Sequence, residues 1–403
     1  MKRTSEAAFE TAIETAIEDV LLAQGYGKHD SKSFDREHAI FSEVALDFIR
    51  TTQEKTWNKL EALHGEKTGE RVLEALCKWM DREGSLATLR HGFKCFGKTL
   101  RIAFFRPAHG LNPDLEARYR ANRLGITRQL HFSPKSDKFA GSEFGQPQAG
   151  PKGERQRRHS QQSLDVVLSV NGVPVATLEL KNPLSGQTVA NAIHQYRSDR
   201  DPREKIFEFK KRSLVHFAVD TEEVHMTIRL AGTSIHFLPF NRGREGGAGN
   251  PPDPQGRNYR TAYLWEEVLQ YDSLLDLLAR FIHLQIDERM SDEGKKVRKE
   301  TMIFPRYHQL EAVRQLVAQA TGEGVGHNYL VEHSAGSGKS NTIAWLAHRL
   351  SSLHNTEDER VFDSVVVITD RVVLDTDRVV LDRQLQNTIY QFDHRQGGDA
   401  EDR

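Results

Sequence analysis

The stretch 164–181, LDVVLSVNGVPVATLELK, constrains the fold more than any other part of this chain. Two apolar, β-branched runs, 164–170 and 173–180, flank Asn171-Gly172, the strongest short-range hairpin signal a sequence carries. The two strands are therefore expected to pair antiparallel. Side chains two apart on a strand share a face, so Glu179 and Lys181 point the same way. The face of Asp165 depends on register. A two-residue turn would set Val170 against Val173 and Asp165 against Leu178, turning Asp165 away from Glu179. A three-residue loop over 171–173, or one bulge, shifts the pairing by one residue and brings Asp165 opposite Glu179. We expect the shifted register.

Two carboxylates converging on one point repel unless a positive charge sits between them. Hard oxygen donors of this kind suit Mg2+, with water filling the remaining positions. A lysine beside them can orient or deprotonate a water while the metal polarises a phosphate and stabilises the leaving oxygen. Asp165, Glu179 and Lys181 thus reproduce a D…ExK pattern and resemble the core of the PD-(D/E)xK nucleases. The competing reading is an ordinary exposed hairpin with a charged solvent face.

A second motif begins at His333. The run HSAGSGKS over 333–340 follows the apolar stretch 329–331 and precedes 341–350, where Ile343, Leu346 and Leu350 mark a helix. Strand, glycine loop and helix form a phosphate-binding arrangement: backbone N–H groups from Gly336, Ser337 and Gly338 close on the phosphates at the positive end of a helix. Lys339 would reach the β and γ phosphates of ATP, and Ser340 would ligate Mg2+. His333 stands where GxxxxGK[ST] has its first glycine, a departure that resembles helicase-type loops. Upstream, FPRYHQ over 304–309 is similar to the adenine-reading Q motif of superfamily 2 helicases, which implies that Gln309 bonds adenine with Tyr307 or Phe304 near the ring. A capped helix start is the alternative. Downstream, 362–369 (FDSVVVIT) reads as a buried parallel strand followed by Asp370-Arg371, as in helicase motif Ia.

With both motifs on one chain, the sequence resembles the restriction (R) subunit of type I restriction-modification systems. The resemblance rests on the order of several stretches: Phe9-Glu10, Arg128-Gln129, 179–183 (ELKNP), 199–202 (DRDP), 216–221 (HFAVDT), the glycine-rich run to Pro252, 263–265 (YLW), the 335–340 loop and 369–371 (TDR). It implies an α/β fold: a PD-(D/E)xK nuclease domain, a mixed sheet flanked by helices, followed by the beginning of a RecA-like motor domain. It also implies cutting of double-stranded DNA, ATP-driven translocation, and assembly with modification and specificity subunits in defence against unmethylated DNA. The likeness to RecB-type nucleases implies a glutamine and a tyrosine four apart on the helix expected over 188–200. Tyr196 fits as a catalytic group, but Ala192 stands four residues before it, so Gln195 and Gln187 remain alternatives for the glutamine. Glu10 on the first helix is either a further active-site acid or an exposed charge.

At 403 residues the chain is long enough for two domains. They are expected at 1–240 and 259–403, joined by the glycine- and proline-rich linker 241–258, whose composition suits a disordered spacer but whose resemblance to the family implies a partly ordered crossing. Helices are expected over 5–22, 38–79 and 259–286, with a strand pair near 100–105 and 126–132 extending the sheet. The polar stretch 134–162 reads as a loop whose basic end, Lys152, Arg155, Arg157, Arg158 and His159, either tracks phosphates or is simply solvated. Net charge is −1, so DNA binding must come from local basic patches. Cys77 and Cys95 form no metal or disulfide framework, and neither a signal peptide nor a membrane-spanning run is present, which points to the cytoplasm. DRVVLDT at 370–376 is nearly repeated at 377–383, seven residues that keep one helix face inward. The chain ends before any Walker B acid or second RecA-like domain, from which weak or no ATP hydrolysis by this polypeptide is expected. A stand-alone repair nuclease and a non-catalytic DNA-binding or assembly module are the alternative functions.

Overall fold

The computed structural model describes residues 2–107, 112–134, 163–183, 186–244, 247–257, 259–290 and 296–368. The basic loop residues 152–159, the repeat at 370–383 and the side chain of Glu10 lie outside the described residues. The chain divides into two compact units, one of 1–105 with 117–278, the other of 106–116 with 279–403.

In the first unit a long helix, α1 (Lys2–Ala23), precedes a helical layer: α2 (Ser42–Thr52), α3 (Glu54–His64), α4 (Thr68–Glu83) and α5 (Ser85–His91). In α4, Val72, Leu76 and Met80 recur every fourth residue and are fully buried, the stripe that faces a helix into a core. Gly84, with φ 95, ends it.

A mixed seven-stranded sheet holds the centre, in the order β1 (Gly27–Lys28), β4 (Leu124–His131), β5 (Ser163–Val170), β6 (Val173–Leu180), β7 (Val215–Val219), β8 (Val224–Thr227), β9 (Leu238–Pro239). A small separate hairpin, β2 (Phe93–Cys95) with β3 (Lys98–Leu100), stands apart from it. The β6–β7 pair is parallel, and α6 (Val189–Ser198) makes the crossover between them. Thr188 and Asn191 close a capping box at its start.

The central hairpin carries the register expected. Asn171 and Gly172 both have positive φ, 49 and 84, so the turn itself is a two-residue one with Val170 opposite Val173. The shift comes from a bulge beyond it: Ser169 pairs with Pro174, Leu168 with Ala176, and Val175 is the extra residue. From Leu168 outward the pairing runs Val167–Thr177 and Val166–Leu178, which sets Asp165 against Glu179. Pro174 has no N–H to give to a ladder, and proline inside a sheet is confined to edges and bulges.

The hairpin is not a solvent-facing ornament. All of β6 and nearly all of β5 are buried, and the turn is clasped on every side. Asn171 Nδ2 donates to Ile102 O and Asn122 Oδ1, both at 2.8 Å, its Oδ1 accepts Arg123 N at 2.6 Å, and Gly172 O accepts Phe41 N at 2.8 Å.

Those bonds explain why 101–105 do not form the expected sheet strand. Gln53 takes both Arg101 N and Arg101 O, Asn171 takes Ile102 O, and Asn122 takes Phe104 N and O, so side chains consume the groups a ladder would use. The segment 241–257 is tied down by hydrogen bonds at both ends. Asn250 bonds Glu222 O, Asn241 Oδ1 and Arg242 N, and Tyr263 Oη donates to Phe240 O, so 241–278 pack within the first unit.

The second unit contains an antiparallel hairpin, β10 (His283–Met290) with β11 (Lys296–Ile303), so 283–286 are strand and not the helix that the sequence pattern predicts. Two helices follow, α7 (Tyr307–Glu323) and α8 (Lys339–Ser351). Neither 329–331 nor 362–368 forms a strand, and Leu330, Val366 and Ile368 are exposed. A continuously apolar parallel strand needs partners on both edges and cover on both faces, and among the described residues none pairs with either segment.

Replacing Gly172 by alanine would force a Cβ to within 2.5 Å of Phe41 O and 2.9 Å of Ala45 N at a left-handed φ. Left-handed strain and overpacking together predict a loss of about 2–4 kcal/mol in urea denaturation, against a smaller loss at an open turn glycine such as Gly97.

Candidate active site

The bulge brings the two carboxylates of the hairpin together. Asp165 Oδ2 accepts the backbone N–H of Leu180 at 2.7 Å, which docks the aspartate on the strand segment between Glu179 and Lys181. Asp165 and Lys181 are each 8% exposed and Glu179 is fully buried, so the site is a recess with narrow access. One Glu179 oxygen, Oε1, is held by Arg200, with Nε at 2.7 Å and Nη2 at 2.6 Å. The other, Oε2, is buried with no hydrogen-bond partner among the described residues.

The electrostatics follow from this burial. Desolvation pushes the Glu179 carboxyl up to about 8; Arg200 and Lys181 pull it down, and the charge of Asp165 pushes it further up. Glu14, on α1, is raised in the same way, first by burial and then by the nearby Asp165 against the pull of Gln129 and Arg128.

Gln129 and Glu14 also line the site, roles that the sequence reading gave to neither. Gln129 lies opposite Asp165 in the β4–β5 register, has φ 48, and its amide donates to Glu14 Oε1 and, at 3.3 Å, to Asp165 Oδ1. Its Oε1 accepts the Ser163 hydroxyl at 2.6 Å. Arg128 next to it holds Glu14 Oε2 at 2.8 Å and reaches Glu18 at 3.2 Å. Glu14 falls one helical turn beyond Glu10, and Glu10, Glu14 and Glu18 repeat at four-residue spacing; that stripe was the available signal. For Gln129 the signal was Arg128-Gln129 as one of the stretches that carry the family resemblance, which assigned it no role.

Tyr196 comes from α6 and is fully buried. Its hydroxyl pairs with Thr177 Oγ1 at 2.8 Å, and the same Thr177 atom meets His216 Nδ1 at 2.7 Å. Burial depresses His216 to about 3, so the imidazole is neutral. Thr177 is two residues before Glu179 on the same strand face, so Tyr196 packs behind the carboxylates and supports that strand. Gln187 is half-buried in the loop before α6, and on the helix Gln195 is half-buried beside the exposed His194.

Among the described residues no three acidic, histidine or cysteine side chains close into a metal cage. The donor set still fits Mg2+: two carboxylates from adjacent strands, one bearing a bare buried oxygen, suit a small cation that keeps several waters and shares the rest of its shell with a phosphate.

In the second unit the 334–338 loop leads into α8, and Gly338 takes φ 83 as its cap. Gln309 is buried and braces this loop: Nε2 donates to Ser337 O at 3.2 Å and Gly338 O at 2.9 Å, while its Oε1 accepts Arg306 N at 2.8 Å. A Cβ at 338 would meet Gln309 Nε2 at 2.5 Å, so glycine is required twice over. Lys339 and Ser340 are exposed, and the Lys339 ammonium donates to His333 O and Ser334 O at 2.9 and 2.8 Å. Gly336 also has positive φ, 75, and Ser337 is buried. Phe304 and Tyr307 are both buried.

Comparison with known proteins matches both halves. The profile of the family described as type I restriction enzyme R protein N terminus (HSDR_N) matches residues 8–234, which span the whole carboxylate cluster. The profile of the SWI2/SNF2 ATPase family matches 308–403. A curated relative is the type I restriction enzyme HindI endonuclease subunit of Haemophilus influenzae, 24% identical over 223 residues, or 54% of this chain and 19% of that protein. The chain thus spans about a fifth of the length of that relative. No solved structure matches. Among the described residues no helix is long and apolar enough to cross a membrane.

Because Glu179 binds its proton more tightly folded than unfolded, it favours folding below its unfolded value and loses that contribution as pH rises toward 8. Without divalent cation, stability is expected to fall between about pH 5 and pH 8. Glu179→Gln is expected to flatten that slope and to stabilise the protein at pH 8, as measured by urea denaturation at several pH values.

Proposed function

This chain belongs to the family of type I restriction enzyme R proteins, of which it carries the N-terminal part, and from that premise we propose that its first unit cuts double-stranded DNA with Mg2+. The observation that carries the proposal is the Val175 bulge, which turns Asp165 toward Glu179 with Lys181 two residues on. In this reading Asp165 and Glu179 Oε2 hold the cation. Magnesium, when bound, polarises the scissile phosphate and stabilises the leaving oxygen. Lys181 orients the attacking water and, in its neutral form, accepts its proton, while Leu180 N–H fixes the free rotation of Asp165. Tyr196 acts behind the reacting groups by holding Thr177 and so the β6 face.

The second unit binds ATP. Backbone N–H groups of 336–338 and the start of α8 receive the phosphates, Lys339 exchanges its two loop carbonyls for phosphate oxygens, and Ser340 takes a magnesium-ligand role. Gln309, whose amide is spent on the loop and on Arg306, serves by bracing the phosphate loop, with the adenine contact resting on its remaining lone pair. In the whole protein these units serve DNA cleavage coupled to ATP-driven translocation, in complex with modification and specificity subunits, against unmethylated foreign DNA.

Purified protein with Mg2+ and plasmid DNA tests the nuclease. Lys181→Ala is expected to slow cleavage by at least about a hundredfold, the scale of a lost proton-transfer group, and equal rates for the two proteins would remove the nuclease assignment. For the loop, Gly338→Ala is expected to displace Gln309 and to weaken binding of a fluorescent ATP analogue, whereas a change at the open Gly322 leaves it unaltered.

A further inference from the structure

A buried arginine facing a carboxylate ordinarily engages both oxygens in a fork. Arg200 does something different. It is only 3% exposed, and both its Nε and its Nη2 converge on the single Glu179 oxygen Oε1, at 2.7 and 2.6 Å. Nη2 also donates to the backbone carbonyl of Ser163 at 2.7 Å, and the guanidinium lies 5.7 Å from the centre of the Phe132 ring. Oε2 is left buried and without a hydrogen-bond partner among the described residues.

Ser163 opens the strand that carries Asp165 two residues later, and Glu179 lies on the strand beside it. One guanidinium therefore ties the two carboxylate-bearing strands together at the level of the site. We propose that Arg200 is a positioning residue for the cation site, presenting Glu179 through Oε2 alone and setting the spacing between the Asp165 and Glu179 carboxylates. This rests on the nuclease reading, and it assigns to a residue outside the D…ExK pattern control over how that pattern binds metal. Lysine keeps the charge but, as a point donor without the planar fork, cannot hold Oε1 and the Ser163 carbonyl in the same fixed geometry.

The test is calorimetric titration of Mn2+ into the whole chain, for the parent, Arg200→Lys and Arg212→Lys. Arg212 is an equally buried arginine, paired with Asp81 and the carbonyl of His38 away from the carboxylates, and so controls for general loosening of the core. Arg200→Lys is expected to weaken Mn2+ binding by about tenfold or more, the usual scale for a residue that orients a metal ligand. Arg212→Lys is expected to stay within roughly twofold of the parent. Arg200→Lys binding as tightly as the parent, or Arg212→Lys weakening it equally, would overturn the proposal. A parent that binds no Mn2+ overturns the nuclease reading and this inference with it. If Arg200→Lys does not fold, the parent alone decides: the 15N–1H signal of the Arg200 Nε–H is expected to shift with Mg2+ at the same midpoint as cation binding, and an unmoved signal at saturation sinks the idea.

Discussion

A single extra residue in β6, Val175, decides what this fold can do. The side-chain period of a strand is two, so one residue of slip exchanges every inward group for an outward one. Without the bulge, Leu178 would stand against Asp165, and Glu179 and Lys181 would face the other side of the sheet from it. With it, three ionisable groups meet beneath a hairpin whose turn is locked by Asn171, Asn122 and Arg123. In an exposed ribbon nothing would hold that register, and sliding out of it would cost little. Here both strands are central and buried, and the turn is bonded to α2 and to the 101–105 segment, so neither end of the hairpin can slide.

The charges gathered by that register would be unfavourable by themselves. Glu14, Asp165 and Glu179 are all buried, and burial together with the charge of Asp165 raises the cost of ionising Glu14 and Glu179. Arg128 and Arg200 offset this from opposite sides of the cluster, and the Gln129 amide lies between Glu14 and Asp165. Stability does not explain such an arrangement, since a buried ion pair is often no better than well-packed apolar residues of the same volume. A strained backbone at Gln129 and a bare oxygen on Glu179 are further costs. Costs concentrated on one recess are what a functional site produces, and chemistry that places a cation and a phosphate there would remove most of them.

Much of this was legible in the chain. Asn171-Gly172 declares the hairpin, and the i, i+2 spacing of Glu179 and Lys181 declares their common face. Register was the uncertain step, and the residue that settles it is Pro174: a proline inside a buried central strand demands a bulge, which favours the bulge over the three-residue loop. Glu14 was visible only as part of an acidic stripe on α1, and nothing local distinguishes it from Glu10 or Glu18. Arg200 and Gln129 were not legible as site residues, because their roles depend on strands that lie far away in sequence. The 101–105 segment misleads for the opposite reason: its apolar alternation suits a strand, but Gln53, Asn122 and Asn171 take its backbone groups first.

The phosphate loop separates what local sequence determines from what a sheet must supply. Gly338, Gln309 and the start of α8 build the loop from contacts within about thirty residues, and the loop is formed even though 329–331 and 362–368 are not strands. A helix-capping loop needs only a left-handed glycine, a short reach and a buried brace. A parallel strand needs neighbours on two edges, contributed by distant sequence, before its hydrogen bonds outweigh the loss of hydration. Motifs of the first kind can be read with confidence from a short stretch, because their geometry closes on itself. Apolar runs such as 362–368 report only a preference, which becomes structure where partner strands cover it.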